Sequence, residues 1–217
     1  MINPVTRRVG IPGKKGVQWG EHLCAFFNTK TDLLNLVVPY IKAGLEDNEF
    51  CLWITEDNME QEAMEALQHV LPEAPHCASR NQLEILSASQ WYFSGGRFDA
   101  GKSFKNWAAR GRAAEANGYV GARTTGSPFW LQSEQDWHQF LMYEQAVHQS
   151  IETERVISLC TYPVGICSAQ NMIGTFASHH AVLMQHGGTW GDAWQCLEIR
   201  GRHVRRSLSI VLTTPPC

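Results

Sequence analysis

The sequence predicts an α/β fold: a mostly parallel central sheet with helices on both faces. Three observations carry that prediction. Short apolar runs alternate with segments of helical periodicity along most of the 217 residues. The stretch 20–57, GEHLCAFFNTKTDLLNLVVPYIKAGLEDNEFCLWITED, holds a complete strand, helix, strand unit of the length that links parallel neighbours. The breaks between runs carry turn and capping residues, among them Glu46-Asp47-Asn48, Gly118 and Ser133 to Asp136.

Residues 1–18, with Pro4, Gly10, Pro12, Gly13 and Gly16, read as an irregular arm. Residues 22–27 form a buried strand. Asp32 then caps a helix whose apolar positions are Leu33, Leu36, Val37, Tyr40, Ile41 and Leu45. Pro39 should kink that helix or sit near its end, because it removes a backbone donor. A second strand covers 50–55, a helix 59–71 is closed by Pro72, and 72–80 reads as a loop. The third strand is 83–87. An alanine-rich helix, 104–117, leads to a fourth strand at 119–125. A capping box starts a helix that reaches about residue 153, and 155–161 is the fifth strand. A helix over 168–177 follows, and 181–184 with 196–199 are expected to pair as edge strands. The domain runs over 19–199. Residues 200–217 form a tail whose arginines, at 200, 202, 205 and 206, read as a solvated basic segment.

Hydrophobic content of 44%, charged content of 18% and a formal net charge of −3 fit a globular domain with no nucleic-acid signature, so no direct nucleic-acid partner is expected. There is no apolar signal core, and no run approaches the ~18 apolar residues a membrane span needs. The expectation is a cytoplasmic protein without a membrane partner. Seven cysteines, an odd number without a secreted-domain spacing, read as reduced thiols.

The unit at 20–57 has the outline of a nucleotide-binding crossover without its phosphate loop. The turn between strand and helix reads Phe27-Asn28-Thr29-Lys30-Thr31 and contains no glycine, so backbone amides have no loop with which to surround phosphates. A literal phosphate-loop match does occur at 96–103, GRFDAGKS. Its context is wrong, because the preceding strand ends near Ser87 and SQWYFSG intervenes. The strands at 119–125 and 155–161 also lack the aspartate that would position Mg²⁺. No nucleotide is expected, and an NTPase using Lys102 is the weakest reading.

Candidate chemistry gathers elsewhere. His22 and Cys24 alternate along the first strand and share a face. Glu144 and His148 sit on the apolar stripe of the long helix with Trp137, Phe140, Leu141 and Ile151. A carboxylate facing inward needs a partner, so Glu144 should pair with a base such as Arg123 or His22, or bind a polar ligand group. A satisfied structural ion pair is the plain alternative. Cys160, Tyr162, Cys167 and His179 lie at or beyond the end of the fifth strand, and the carboxyl ends of parallel strands share one crevice. Cys24, Cys160, Cys167 and His179 are the alternative, as the metal ligands or redox-responsive groups of a metal- or redox-sensing protein. Buried free thiols account for the same cysteines without metal, and no C-x-x-C spacing is present.

These residues resemble those of a known family, the methanogen/methylotroph, dichloromethane-regulator sensory domain, or MEDS. The resemblance spans about Trp19 to Trp194. It rests on Gly20-x-His22-x-Cys24-x-Phe26-Phe27, Asp32-Leu33-Leu34, YIKAGLEDNEFCLW at 40–53, Trp91-Tyr92 with Gly96-x-Phe98-Asp99, Gly118-Tyr119-x-Gly121-x-Arg123-x-Thr125-Gly126, Phe129-Trp130-Leu131, Tyr143-Glu144, Leu159-Cys160-Thr161-Tyr162 and His179. It implies a RecA/KaiC-like fold without a working phosphate loop. It also implies a non-enzymatic sensor of a small organic molecule, such as a hydrocarbon derivative, attached or relayed to a histidine kinase or transcription regulator. The chain continues only a short way past the matched region, so a stand-alone sensor or an excised piece is expected, and a homo-oligomer is compatible with either. The expected ligand contacts are apolar for Phe26, Trp91 and Trp130, and polar for His22, Cys24, Arg123, Glu144, Cys160, Tyr162 and His179.

Overall fold

A computed structural model describes residues 6–193. Its centre is a seven-stranded sheet in the order β3-β2-β6-β7-β1-β8-β9. The strands are β1 (His22–Phe27), β2 (Phe50–Thr55), β3 (Leu83–Ser87), β6 (Ala122–Gly126), β7 (Val156–Pro163), β8 (Ala181–His186) and β9 (Thr189–Asp192). All pairings are parallel except β8 with β9. Every residue of β1, β2 and β6 is buried, as expected for parallel strands covered on both sides.

The helices divide between the two faces. α1 (Lys30–Glu46) and α2 (Glu60–Val70) cover one side, and their Leu36, Ile41, Ala63 and Leu67 join Trp53, Ile157 and Leu159 of the sheet in one core. Short α3 (Ala74–Ser79) lies on the same side and occupies part of the span expected to be a loop. α5 (Ala100–Ala116), α6 (Glu134–Ile151) and α7 (Ala169–Ala177) cover the other side. Trp107, Trp137 and Phe140 of these helices meet Cys24, Leu52 and Tyr162 in the second core. The first helices return the chain toward β3 and the later ones carry it back past β1. The fold is therefore doubly wound.

Local chemistry explains the helix starts. Thr29, Ser87 and Ser133 each form a capping box, with Asp32, Gln90 and Asp136 respectively, at α1, α4 (Ala88–Tyr92) and α6. At α1 this fills the helix N-terminus, where a phosphate would sit, with the chain's own hydroxyl and carboxylate. Pro39 lies inside α1. The phosphate-loop match at 96–103 folds into something else. Gly95 and Gly96, at φ +57° and +76°, turn a hairpin between β4 (Phe93–Ser94) and β5 (Arg97–Phe98), a role that needs left-handed backbone. Gly101, Lys102 and Ser103 belong to the first turn of α5, capped by Asp99, and Lys102 Nζ donates to the Phe93 carbonyl at 2.7 Å.

Three expectations need correction. The described part of the arm is docked: Arg7 bridges to Val17, and Val9, Ile11 and Val17 are buried in the first core. β8 pairs with Thr189–Asp192 through a two-glycine turn, Gly187-Gly188, that was closer in sequence than the expected partner. α5 begins four residues before the expected start at 104, because Asp99 caps it. The expected strand 196–199 and the tail 200–217 lie outside the described residues.

Candidate functional site

β1 and β7 run side by side with Cys24 opposite Cys160, so the two residues share a face, and His22, two residues before Cys24, shares it too. That face meets α6, whose inward stripe delivers Glu144, and the end of α7, after which comes His179. His22 and Glu144 are 0% and 1% exposed. The Glu144 carboxylate oxygen Oε2 lies 3.1 Å from His22 Nε2 and 3.4 Å from His179 Nε2, and it accepts from the Cys160 thiol at 3.4 Å. Cys160 Sγ is also 3.3 Å from His22 Nε2. One ligand-type atom from each of the four side chains lies within 4.8 Å of the others.

Electrostatics inside the quartet follow from burial. Desolvation, aided by the neighbouring His179, pushes the His22 pKa down to about 4, so the ring is neutral near pH 7. Burial alone would raise the Glu144 carboxyl, but its contacts with the two imidazoles outweigh this and hold it below the usual carboxylate range. Burial and the adjacent carboxylate push the Cys160 thiol well up, which keeps it protonated rather than a nucleophilic thiolate. His179 Nδ1 contacts the Thr175 carbonyl at 2.7 Å, which fixes the proton on Nδ1 and leaves Nε2 turned toward Glu144. The arrangement is one buried carboxylate facing two donors, the His22 ring and the Cys160 thiol, with the His179 Nε2 edge turned toward it and no lysine or arginine on Glu144 among the described ion pairs.

A second feature lies at the carboxyl ends of the strands. Glu56, Asp57 and Asn58 follow β2, Ala88 and Ser89 follow β3, and Phe129 and Trp130 follow β6, around a cleft of ≈ 730 Å³. The β4–β5 hairpin closes one wall through Phe93, Gly95 and Gly96. The connection from β2 leaves toward the first helical layer and that from β6 toward the second, which is the switch geometry that opens a crevice in such sheets. Trp130 is held by ring contacts to Phe98 at 4.7 Å and Phe93 at 5.1 Å.

The expected site residues thus separate into distinct places. His22, Glu144, Cys160 and His179 converge beneath the middle of the sheet, with His22 at the amino end of β1 rather than in a carboxyl-end crevice. Cys24, Phe26 and Tyr162 pack in the second core beside them, with the Phe26 and Tyr162 rings stacked at 5.5 Å. Trp91 is 1% exposed and borders an internal void of ≈ 20 Å³ next to Glu144 and Cys160, room for about one water. Trp130 alone of the expected contacts lines the cleft. Arg123 belongs to the opposite face: it stands opposite Ile157 in register, and strand parity turns it toward α1. There it pairs with Glu49 at 2.6 and 3.2 Å and donates to the carbonyls of Arg8, Val9 and Tyr40. The expected pair of Arg123 with Glu144 does not form. Cys167 donates to the Pro163 carbonyl and stands outside the quartet. Glu49, Glu56, Asp57 and Ser89 escaped the sequence reading because each sits in a polar turn that looks like any solvated loop.

A doubly wound sheet with these crossovers defines a RecA/KaiC-like domain, and a crystal structure of a KaiC-like protein from the hyperthermophilic archaeon Pyrococcus horikoshii OT3 has the same fold. The two superpose with a TM-score of 0.60 at 14% identity, over 84% of this chain and 81% of that one. No curated protein matches the chain significantly. The family model of the MEthanogen/methylotroph, DcmR Sensory domain matches residues 21–180, and the chain belongs to this MEDS family. It is therefore a sensory domain by family.

Proposed function

We propose that the protein is a non-enzymatic sensor that binds a small, largely apolar organic molecule in the cleft between the ends of β2, β3 and β6. The carrying observation is the cleft itself. Its volume of ≈ 730 Å³ falls in the range of small-ligand sites, and its rigid aromatic wall, Phe93, Phe129 and Trp130, faces a few polar groups from Glu56 to Asn58 and Ser89. Such a lining favours an apolar body with one or two hydrogen-bond donors, as in an alcohol or amine derivative of a hydrocarbon. Occupancy would bias the β4–β5 hairpin and the loop after β6, and through them the partner, a histidine kinase or transcription regulator. The filled N-terminus of α1 supports a ligand other than a nucleotide.

A thermal-shift screen of short-chain alcohols, amines and halogenated hydrocarbons tests the reading. A ligand at a hundred times its Kd should stabilise the fold by about 2.7 kcal/mol. Hits should lose that effect in Trp130→Ala and keep it in Cys167→Ser. Hits that survive Trp130→Ala combined with Phe129→Ala place binding elsewhere and overturn the assignment.

A further inference from the structure

We propose that His22, Glu144, Cys160 and His179 bind one divalent transition-metal ion of the Zn²⁺, Co²⁺ or Fe²⁺ class. The proposal stands apart from the organic-ligand cleft, and either can fail without the other.

Geometry carries it. A tetrahedral ion with bonds of about 2.0–2.3 Å to nitrogen, oxygen and sulfur has donor-to-donor edges of roughly 3.3–3.7 Å. Four edges of the quartet measure 3.1, 3.3, 3.4 and 3.4 Å, and the remaining ones stay within 4.8 Å. The four donors come from β1, α6, β7 and the residue pair after α7, so the site is rigid on every side. A set of two imidazoles, one thiol and one carboxylate suits borderline ions. It is poor for Ca²⁺ or Mg²⁺, which need more oxygen ligands.

Two independent features point the same way. His179 Nε2 is buried and has no hydrogen-bond partner, although it faces Glu144. Its other nitrogen is anchored to the Thr175 carbonyl, the outer contact that orients a ligating histidine. The charge also closes. Binding releases the thiol proton to solvent and places the His22 proton on Nδ1, which frees Nε2 as a ligand, and a dication with one thiolate, one carboxylate and two neutral imidazoles leaves a neutral buried site. Two further imidazoles lie outside the quartet: the exposed His180 ring is tilted against half-buried His148 at 4.3 Å, and His148 lies 6.0 Å from His22.

The test uses untagged full-length protein, stripped with a chelator and titrated with Co²⁺. One equivalent should bind, with tetrahedral visible bands and a thiolate-to-cobalt charge-transfer band in the near ultraviolet. Cys160→Ser should remove the charge-transfer band, while Cys167→Ser retains it. His179→Ala should weaken binding by roughly a hundredfold or more, beyond the usual loss of an outer contact. X-ray absorption of the Zn²⁺-loaded wild type needs no variant, and should find one sulfur at about 2.3 Å with nitrogen and oxygen near 2.0–2.1 Å. Sub-stoichiometric binding by the wild type, a charge-transfer band unchanged in Cys160→Ser, or a metal shell without sulfur overturns the proposal.

Discussion

Replacing Arg123 by alanine should destabilise the fold rather than weaken a ligand. Arg123 and Glu49 are both 0% exposed, and the guanidinium makes two contacts to the carboxylate and three to backbone carbonyls while lying 4.8 Å over the Tyr40 ring. Removing one partner of a buried ion pair costs about 3–5 kcal/mol, because the other charge stays buried. Arg7 keeps a 2.9 Å contact to Glu49 from a site 17% exposed, which places the expected loss near the lower end, about 3 kcal/mol. Against a total stability of roughly 5–15 kcal/mol this is a large fraction. Urea unfolding followed by tryptophan fluorescence measures it. The double variant Arg123→Met with Glu49→Leu should recover most of the loss, since an apolar pair of similar volume leaves no orphaned charge. A single variant that loses under about 1 kcal/mol, or a double variant no better than the single, refutes a buried pair of this kind.

Stability of the metal-free protein should fall on acidification. The His22 pKa lies at about 4 in the folded state, below the ordinary 6.5, so the unfolded chain binds more protons between those values. The contribution is complete above pH 6.5 and is lost as pH falls through 4, with a slope up to about 1.4 kcal/mol per pH unit. Glu144, also held low, adds a loss in the same direction below its ordinary 4.5. Urea midpoints from pH 7 to 4 read this out, and an equal slope in His22→Asn refutes the assignment. Gly44→Ala should cost about 1–3 kcal/mol through overpacking, because its Cβ would lie 2.7 Å from Cys51 Sγ and 2.9 Å from Arg123 Cδ. An unchanged unfolding midpoint would show that α1 can shift to make room.

The sequence by itself determined the α/β class, the strand-helix-strand unit at 20–57, the capped starts of α1 and α6, and the glycine-free turn at 27–31. These are local properties: burial periods of 2 and 3.6 and capping chemistry are written within a few residues. It also placed Glu144 on an inward helix stripe and His22 with Cys24 on one face. Only the tertiary structure decided which residues meet. Arg123 belongs to the other layer because side chains alternate along β6, and the layer each parity faces is set by the crossovers of α1 and α6. His179 reaches Glu144 because α7 packs beside α6, a contact no local pattern encodes. The cleft opens at β2, β3 and β6 because the connections from β2 and β6 leave on opposite sides there. Periodicity fixes what an element buries, while the winding of the chain fixes against what it is buried.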